Sequence, residues 1–356
     1  MELKMWFISE ELSSHYRDSR REAITDPVWP GSGGCNLANL RDLESIYVGE
    51  SSGEPSREEY CFKGYCHCGS FVFSVHIPDI QHFTLCNCSL CYKAGLRMIA
   101  CPIQGFTLTK GSLRDLTRYR CGVDSSHHFC PTCGVTLIVL SSSFFSTIYV
   151  NFGVLHHNRV DLWEVPGFGY PSMRRLDGYT EPSAAHLPDP IWQGPDSSKM
   201  HQGSCHCGKI LVKLRTGRWI DEYNIPVECN CSMCERVCPV WITGCHAQAT
   251  IQRGTSRRPA GATGRCYYAP QGTRGRLLWI FCDVCGVFVA LAEAKDMKEW
   301  RRMLEAEPEQ SQFLGQIGGP YPKSINLRIF MDIDVDTLPT VRQNGRGRAP
   351  EYLPPA

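Results

Sequence analysis

Ser70-Phe-Val-Phe-Ser-Val-His-Ile77 alternates apolar and polar positions, and Lys209-Ile-Leu-Val-Lys-Leu214 does so in part. A period of two predicts strands with one buried face. Phe106–Thr109, Thr136–Leu140 and Thr147–Asn151 also read as extended. Helical spacing shows at Lys295–Glu305, where Met297, Trp300 and Leu304 share a face. One helix packed on a sheet by that face is expected there. The predicted class is mainly β.

Three cysteine words punctuate these strands, and each occurs twice in the same order. Gly64-Tyr-Cys66-His67-Cys68-Gly69 returns as Gly203-Ser-Cys205-His206-Cys207-Gly208. Cys86-Asn-Cys88-Ser-Leu-Cys91 returns as Cys229-Asn-Cys231-Ser-Met-Cys234. Phe129-Cys130-Pro-Thr-Cys133-Gly134-Val135 returns as Phe281-Cys282-Asp-Val-Cys285-Gly286-Val287. Glycine closes the first and third words, where a tight turn leaves backbone amides facing the sulfurs. Each copy uses seven cysteines, so fourteen of the 21 are in register. The chain reads as a tandem duplication.

The first copy is placed at 60–172 and the second at 202–338, with a linker at 173–201 rich in Pro, Ser and Asp. Residues 1–58 match nothing in the repeat and are expected to be a mobile extension. The Gly/Arg/Pro-rich stretch 339–356 is expected to be a disordered tail. The second copy is longer between its last word and its closing Asn326, which is where the helix at Lys295–Glu305 is inserted.

Composition narrows the functions. Among 356 residues, 37 Lys+Arg stand against 36 Asp+Glu, a net charge of +1 that makes no electrostatic case for a nucleic-acid partner or a basic membrane surface. No apolar run approaches the ~20 residues of a membrane-spanning helix. Met5–Ile8, closed by Glu10 and Glu11, is too short for a signal-peptide core. Cysteines at one- and two-residue separations rarely bond each other but readily share a metal. The expectation is a reducing compartment, the cytoplasm, with the cysteines as ligands.

Cys66 and Cys68 with Cys130 and Cys133 make two pairs far apart in sequence, the ligand pattern of a closed tetrahedral zinc site. Cys205, Cys207, Cys282 and Cys285 repeat it. The middle word supplies three thiols, Cys86, Cys88 and Cys91, and again Cys229, Cys231 and Cys234. Three ligands leave a fourth position for water or a soft sulfur substrate, the mark of a catalytic zinc. Alternatively a fourth protein ligand closes each triad: Cys101 or a histidine in the first copy, Cys238 in the second. Up to four zinc ions per chain are expected. His67 and His206, between ligand cysteines, read equally as donors to sulfur or as solvent-facing turn residues. His127, His128, His156 and His157 read as surface or loop residues.

At these words the sequence resembles the glutathione-dependent formaldehyde-activating enzymes together with centromere protein V, the GFA/CENP-V domain, in both copies. The resemblance implies Mss4-like folds built from small sheets, a structural zinc in each quartet, and a triad zinc that meets the thiol of glutathione. The implied reaction adds that sulfur to formaldehyde or a related small aldehyde, formally a carbon–sulfur lyase. Tyr92, Lys93, Ala94 and Gly95 after Cys91 fit the family habit, and Lys93 is the candidate donor to the developing oxyanion. After Cys234 the second copy has Glu235, Arg236, Val237 and Cys238 instead, and is read as divergent. The competing reading is a non-catalytic zinc-stabilised scaffold.

Overall fold

The computed structural model describes residues 60–78, 80–122, 125–142, 146–156, 163–169, 178–192, 196–218, 220, 225–243, 249–253, 264–268, 277–293, 322–346 and 352. The extension 1–58 and the helix expected at Lys295–Glu305 lie outside the described residues. All described residues belong to one unit by backbone contacts.

The first repeat comprises β1 (Tyr60–Tyr65), β2 (Val72–Ile77), β3 (Phe83–Leu85), β4 (Arg97–Pro102), β5 (Phe106–Lys110), β6 (Thr117–Cys121), β7 (Ser125–Phe129), β8 (Thr136–Ser141), β9 (Thr147–Asn151) and β10 (Gly167–Gly169). A three-stranded sheet runs β1-β2-β5, and a seven-stranded sheet runs β10-β3-β4-β9-β8-β7-β6. The second repeat comprises β11 (Ser198–Ser204), β12 (Ile210–Gly217), β13 (Val227–Cys229), β14 (Trp241–Thr243), β15 (Ala249–Arg253), β16 (Gly264–Tyr268), β17 (Leu277–Cys282), β18 (Phe288–Glu293), β19 (Pro322–Asn326) and β20 (Val341–Gln343). Its sheets run β11-β12-β15 and β20-β13-β14-β19-β18-β17-β16. The orders correspond strand for strand, so the duplication in the cysteines is a duplication of fold. The chain is mainly β. Among the described strands, only the edge pairs β3–β10 and β13–β20 are parallel.

Position in the sheet explains the sequence of each strand. Thr136–Val139 of β8 is buried without interruption because β8 has neighbours on both edges and covered faces. At the outer edge β6 alternates between half-buried and exposed positions. The triad words end in two short helices, α1 (Ser89–Ala94) and α2 (Cys234–Val237). Helix α1 stops at Gly95, whose φ of 63° is left-handed and whose N–H caps Cys91 O and Tyr92 O. At the equivalent place in α2 stands Cys238, with a φ of 37°.

The repeats are packed into each other. Leu90 of α1 is fully buried in a cluster made otherwise mostly of second-repeat residues, among them Ile210, Val240 and Ile329. Its counterpart Met233 is buried in the first repeat's cluster with Phe129, Val154 and Leu155. Each burial is worth about 1.5–3 kcal/mol by transfer of apolar area. Each triad word therefore lends its middle apolar side chain to the other repeat.

Two boundaries need correction. The expected tail carries β20, and the amides of Gly345 and Arg346 both donate to Asn230 Oδ1. Pairing along the free edge of β13 satisfies backbone groups that composition alone would leave to water. The expected linker is also packed. Ala184 and Leu187 are buried, and Lys213 on β12 donates to Ala185 O and Leu187 O and pairs with Asp189. No helix among the described residues is long and apolar enough to cross a membrane.

Candidate metal centres

Four cysteine clusters have sulfurs within 4.8 Å of one another: Cys66/68/130/133, Cys205/207/282/285, Cys86/88/91 and Cys229/231/234. They are the four sets that the repeated words pair. In the quartets, Cys66–Cys68 and Cys68–Cys130 sulfurs are 3.5 and 3.6 Å apart, and Cys205–Cys207 and Cys207–Cys282 are 3.6 and 3.5 Å. A tetrahedral ion with bonds of about 2.3 Å to sulfur has sulfur–sulfur edges of about 3.8 Å. The donor sets therefore fit a metal closely. Turns hold them there: Gly69, Gly134, Gly208 and Gly286 all take positive φ. Hydrogen bonds from Cys130, Cys133 and Cys66 lower the Cys68 thiol pKa, and those from Cys205, Cys282 and Cys285 lower that of Cys207. An ion in the quartet would take the place of those protons.

The triads are each formed by a loop and the start of a short helix. Cys88 caps α1, its sulfur accepting the Cys91 N–H. Among the described residues no His, Cys, Asp or Glu joins either triad within 4.8 Å of all three sulfurs. Cys101 is buried in β4 and donates to Pro102 O. Cys238 occupies the left-handed helix cap and turns its thiol to Glu235 O. Neither Cys101 nor Cys238 completes its triad.

Lys93 also differs from expectation. Its Nζ is fully buried and donates to both carboxylate oxygens of Glu181, at 2.9 and 2.7 Å, and to Ser204 O and Ile329 O, both at 2.9 Å. Three ammonium protons are thus engaged with groups outside the first repeat's triad. Arg236, at the same offset from Cys234, donates to Tyr65 O, the counterpart of Ser204 O. Both cations are ties between repeats.

The walls around the two triads diverge. In the first, Leu96, Met98 and Val139 cluster with Cys91, Tyr149 packs alongside, and His127 Nε2 is 3.7 Å from Cys91 Sγ. His127 and His128 lie in β7 and are buried, contrary to their reading as surface residues. Burial holds the His127 pKa down to about 3, so the ring is a neutral hydrogen-bonding group. In the second, Trp279 stands where His127 would be, two residues before the matching phenylalanine. It meets Trp241 edge-on at 5.8 Å, and Trp241 Nε1 donates to Cys234 Sγ. The chain after β20 then crosses the triad: a Cβ on Gly345 would lie 2.6 Å from Cys229 Sγ.

Residues 61–164 match the family described as glutathione-dependent formaldehyde-activating enzyme. The first repeat is a GFA domain. A Rhodobacter sphaeroides protein of known crystal structure is 28% identical over 30% of this chain and 99% of its own, with a TM-score of 0.27. No curated protein matches the chain. The family match covers the first repeat; the second is tied to it by the repeated words and the common strand order.

Proposed function

We propose that the first repeat catalyses addition of a thiol, glutathione, to formaldehyde or a related small aldehyde at a zinc ion held by Cys86, Cys88 and Cys91. The observation that carries this reading is a three-sulfur cluster, without a fourth protein ligand among the described residues, inside a GFA domain. Zinc there would supply a Lewis acid that lowers the pKa of an incoming thiol. The chain's own residues position and shield the reaction. His127, neutral and within reach of Cys91 Sγ, can donate to that sulfur and temper its charge. Leu96, Met98 and Val139 keep water from the sulfurs. In the addition, sulfur attacks the carbonyl carbon, a C–S bond forms, and the C=O π pair moves to oxygen. The proton released by the thiol is returned to that oxygen through solvent, giving the hydroxymethyl thioether. Lys93 has no part in this step.

The two quartets take structural zinc, and with the two triads this gives up to four ions per chain. The second repeat is structural in this reading: Trp241, Trp279 and the segment through Gly345 occupy the surroundings of its triad. Thiolate ligands suit a reducing compartment such as the cytoplasm, and the partners are small molecules rather than nucleic acid.

The test is Cys88→Ser. Thiol–aldehyde addition above the uncatalysed rate should disappear while the two quartet ions and the fold persist. Full activity in that variant would refute the assignment. Activity equal to the spontaneous reaction in the parent chain would favour the scaffold reading.

A further inference from the structure

His206 sits between two ligands of the second quartet, yet its ring is engaged with the first repeat. Nδ1 is 2.8 Å from the Tyr119 hydroxyl, Nε2 is 2.9 Å from Ser89 Oγ, and Cys121 Sγ lies 3.8 Å from Nε2. Tyr179 stacks on the ring at 4.6 Å and donates its hydroxyl to His206 O at 3.0 Å. A neutral imidazole has one donor and one acceptor nitrogen, so two hydroxyls satisfy it fully.

Two of the partners on the first-repeat side, Ser89 and Cys121, adjoin the triad. Ser89 is fully buried, opens α1 and stands between Cys88 and Cys91. Cys121 is a hydrogen-bonding neighbour of Cys88. The contact has a counterpart: His67 Nε2 is 3.0 Å from Ser232, between Cys231 and Cys234, and Tyr352 stacks on His67 at 4.5 Å while donating to its carbonyl. Recurrence in both halves marks the histidine–serine bond as part of the architecture. It also accounts for both histidines: His67 is buried and His206 half-buried, each with its ring turned to the other repeat and not to solvent.

Resting on the reading that the first triad is the reactive site, we propose that His206 is a positioning residue for it. The second quartet fixes the imidazole, the imidazole fixes Ser89, and Ser89 fixes the Cys88–Cys91 segment. The first site is thus built by both repeats. This gives the second repeat a role although its own triad is walled by tryptophans: its quartet is the buttress of the neighbouring centre. Hydrogen bonds one step out from metal ligands commonly govern affinity by about 10–100-fold.

The experiment uses the full, metal-loaded chain carrying Cys231→Ser, which removes the second triad's ion. A chromophoric chelator competes for the weakest-bound zinc, and thiol addition is followed in parallel. His206→Phe keeps the stacked ring but removes both hydrogen bonds; affinity at the first triad should fall on the order of tenfold with both quartet ions retained. Ser89→Ala breaks the same bond from the other side and should give the same loss, and the double variant no more than either. His206→Gln, whose amide reaches toward Ser89, should restore most of it. Unchanged affinity in Ser89→Ala, or losses that multiply in the double variant, would overturn the proposal. Should His206→Phe fail to fold, Ser89→Ala and His206→Gln decide the matter by the same criteria. Chelator competition does not depend on turnover, so a loss of affinity in a chain without activity would keep the positioning role and discard the proposed reaction.

Discussion

The ring of Phe281, in the second repeat, lies against Gly134 of the first so closely that a Cβ there would be 2.6 Å from it. The reverse contact exists too, with Phe129 against Gly286 at 2.9 Å. In each word the aromatic before the first cysteine covers the glycine after the second, but in the opposite repeat. These two contacts, with Leu90 and Met233, Lys93 and Arg236, and His206 and His67, describe an internal pair related by exchange of equivalent surfaces.

Gly134→Ala should therefore be costly. Its φ of 74° strains any L side chain by about 1–2 kcal/mol, and the added methyl meets an aromatic ring, an overpacking of about 1–3 kcal/mol. A loss of about 2–5 kcal/mol is expected in urea unfolding. Adding Phe281→Leu should recover the packing part and leave the backbone part. An unchanged midpoint in Gly134→Ala would show that the repeats do not meet this way.

Lys93→Met should act on stability, not on the chemical step. Its side chain is 0% exposed and Glu181 19%, and removing the ammonium leaves that carboxylate with the Ser204 hydroxyl alone and strands two carbonyls. Breaking a buried pair from one side typically costs about 3–5 kcal/mol, and the partial exposure of Glu181 places the expectation at the lower end. Activity per folded molecule should stay within about twofold. A selective fall in turnover, with stability intact, would return Lys93 to the reaction.

What was legible in the sequence was whatever local spacing determines. Cys66, Cys68, Cys130 and Cys133 announce a quartet because ligand pairs on tight turns need fixed separations, and their repetition made the duplication plain. Spacing says nothing of which surface a side chain meets. Lys93 looked like a catalytic cation because it follows the triad; a cation at the same offset in Arg236 was the available hint of a shared structural duty. His127 and His128 have no histidine counterparts in the second copy and so read as surface, whereas the sheet encloses them. The tail's glycine and arginine content read as disorder, but Gly345 is needed where backbone passes over Cys229. Cys238 looked like a ligand because it is a cysteine near a triad, yet its place is that of Gly95.

His128 should make the protein acid-sensitive in a recognisable way. Burial, with the nearby Arg118 charge, lowers its pKa from 6.5 to about 4, and its Nδ1 has no hydrogen-bond partner among the described residues. The folded state thus prefers the neutral ring. Above pH 6.5 both folded and unfolded chains are neutral there and nothing is lost. As pH falls from about 6.5 toward 4 the unfolded chain takes up a proton that the folded chain refuses, so stability declines by up to about 1.4 kcal/mol per pH unit. His128→Gln should remove one proton's worth of that slope, read as the difference between variant and parent unfolding curves over pH 6.5–4.5. Parallel curves would mean that the ring titrates normally in the folded chain.

Removing the residues after Leu338 should open the second triad while leaving the first unaltered. The lost segment includes β20, the Gly345 backbone over Cys229, and Arg346, which pairs with Glu235 at 2.7 Å. It also includes Tyr352, which stacks on His67 and donates to its carbonyl. Alkylation of Cys229 and Cys231 in the metal-stripped chain should accelerate by on the order of tenfold, since a buried backbone no longer shields those sulfurs. Trp241 and Trp279 remain, however, and they come from strands that the truncation does not touch. Thiol–aldehyde addition should accordingly not appear at the second site, and the rate per chain should not rise. A doubling of that rate on truncation would mean that the segment, and not the tryptophan wall, separates a silent repeat from an active one.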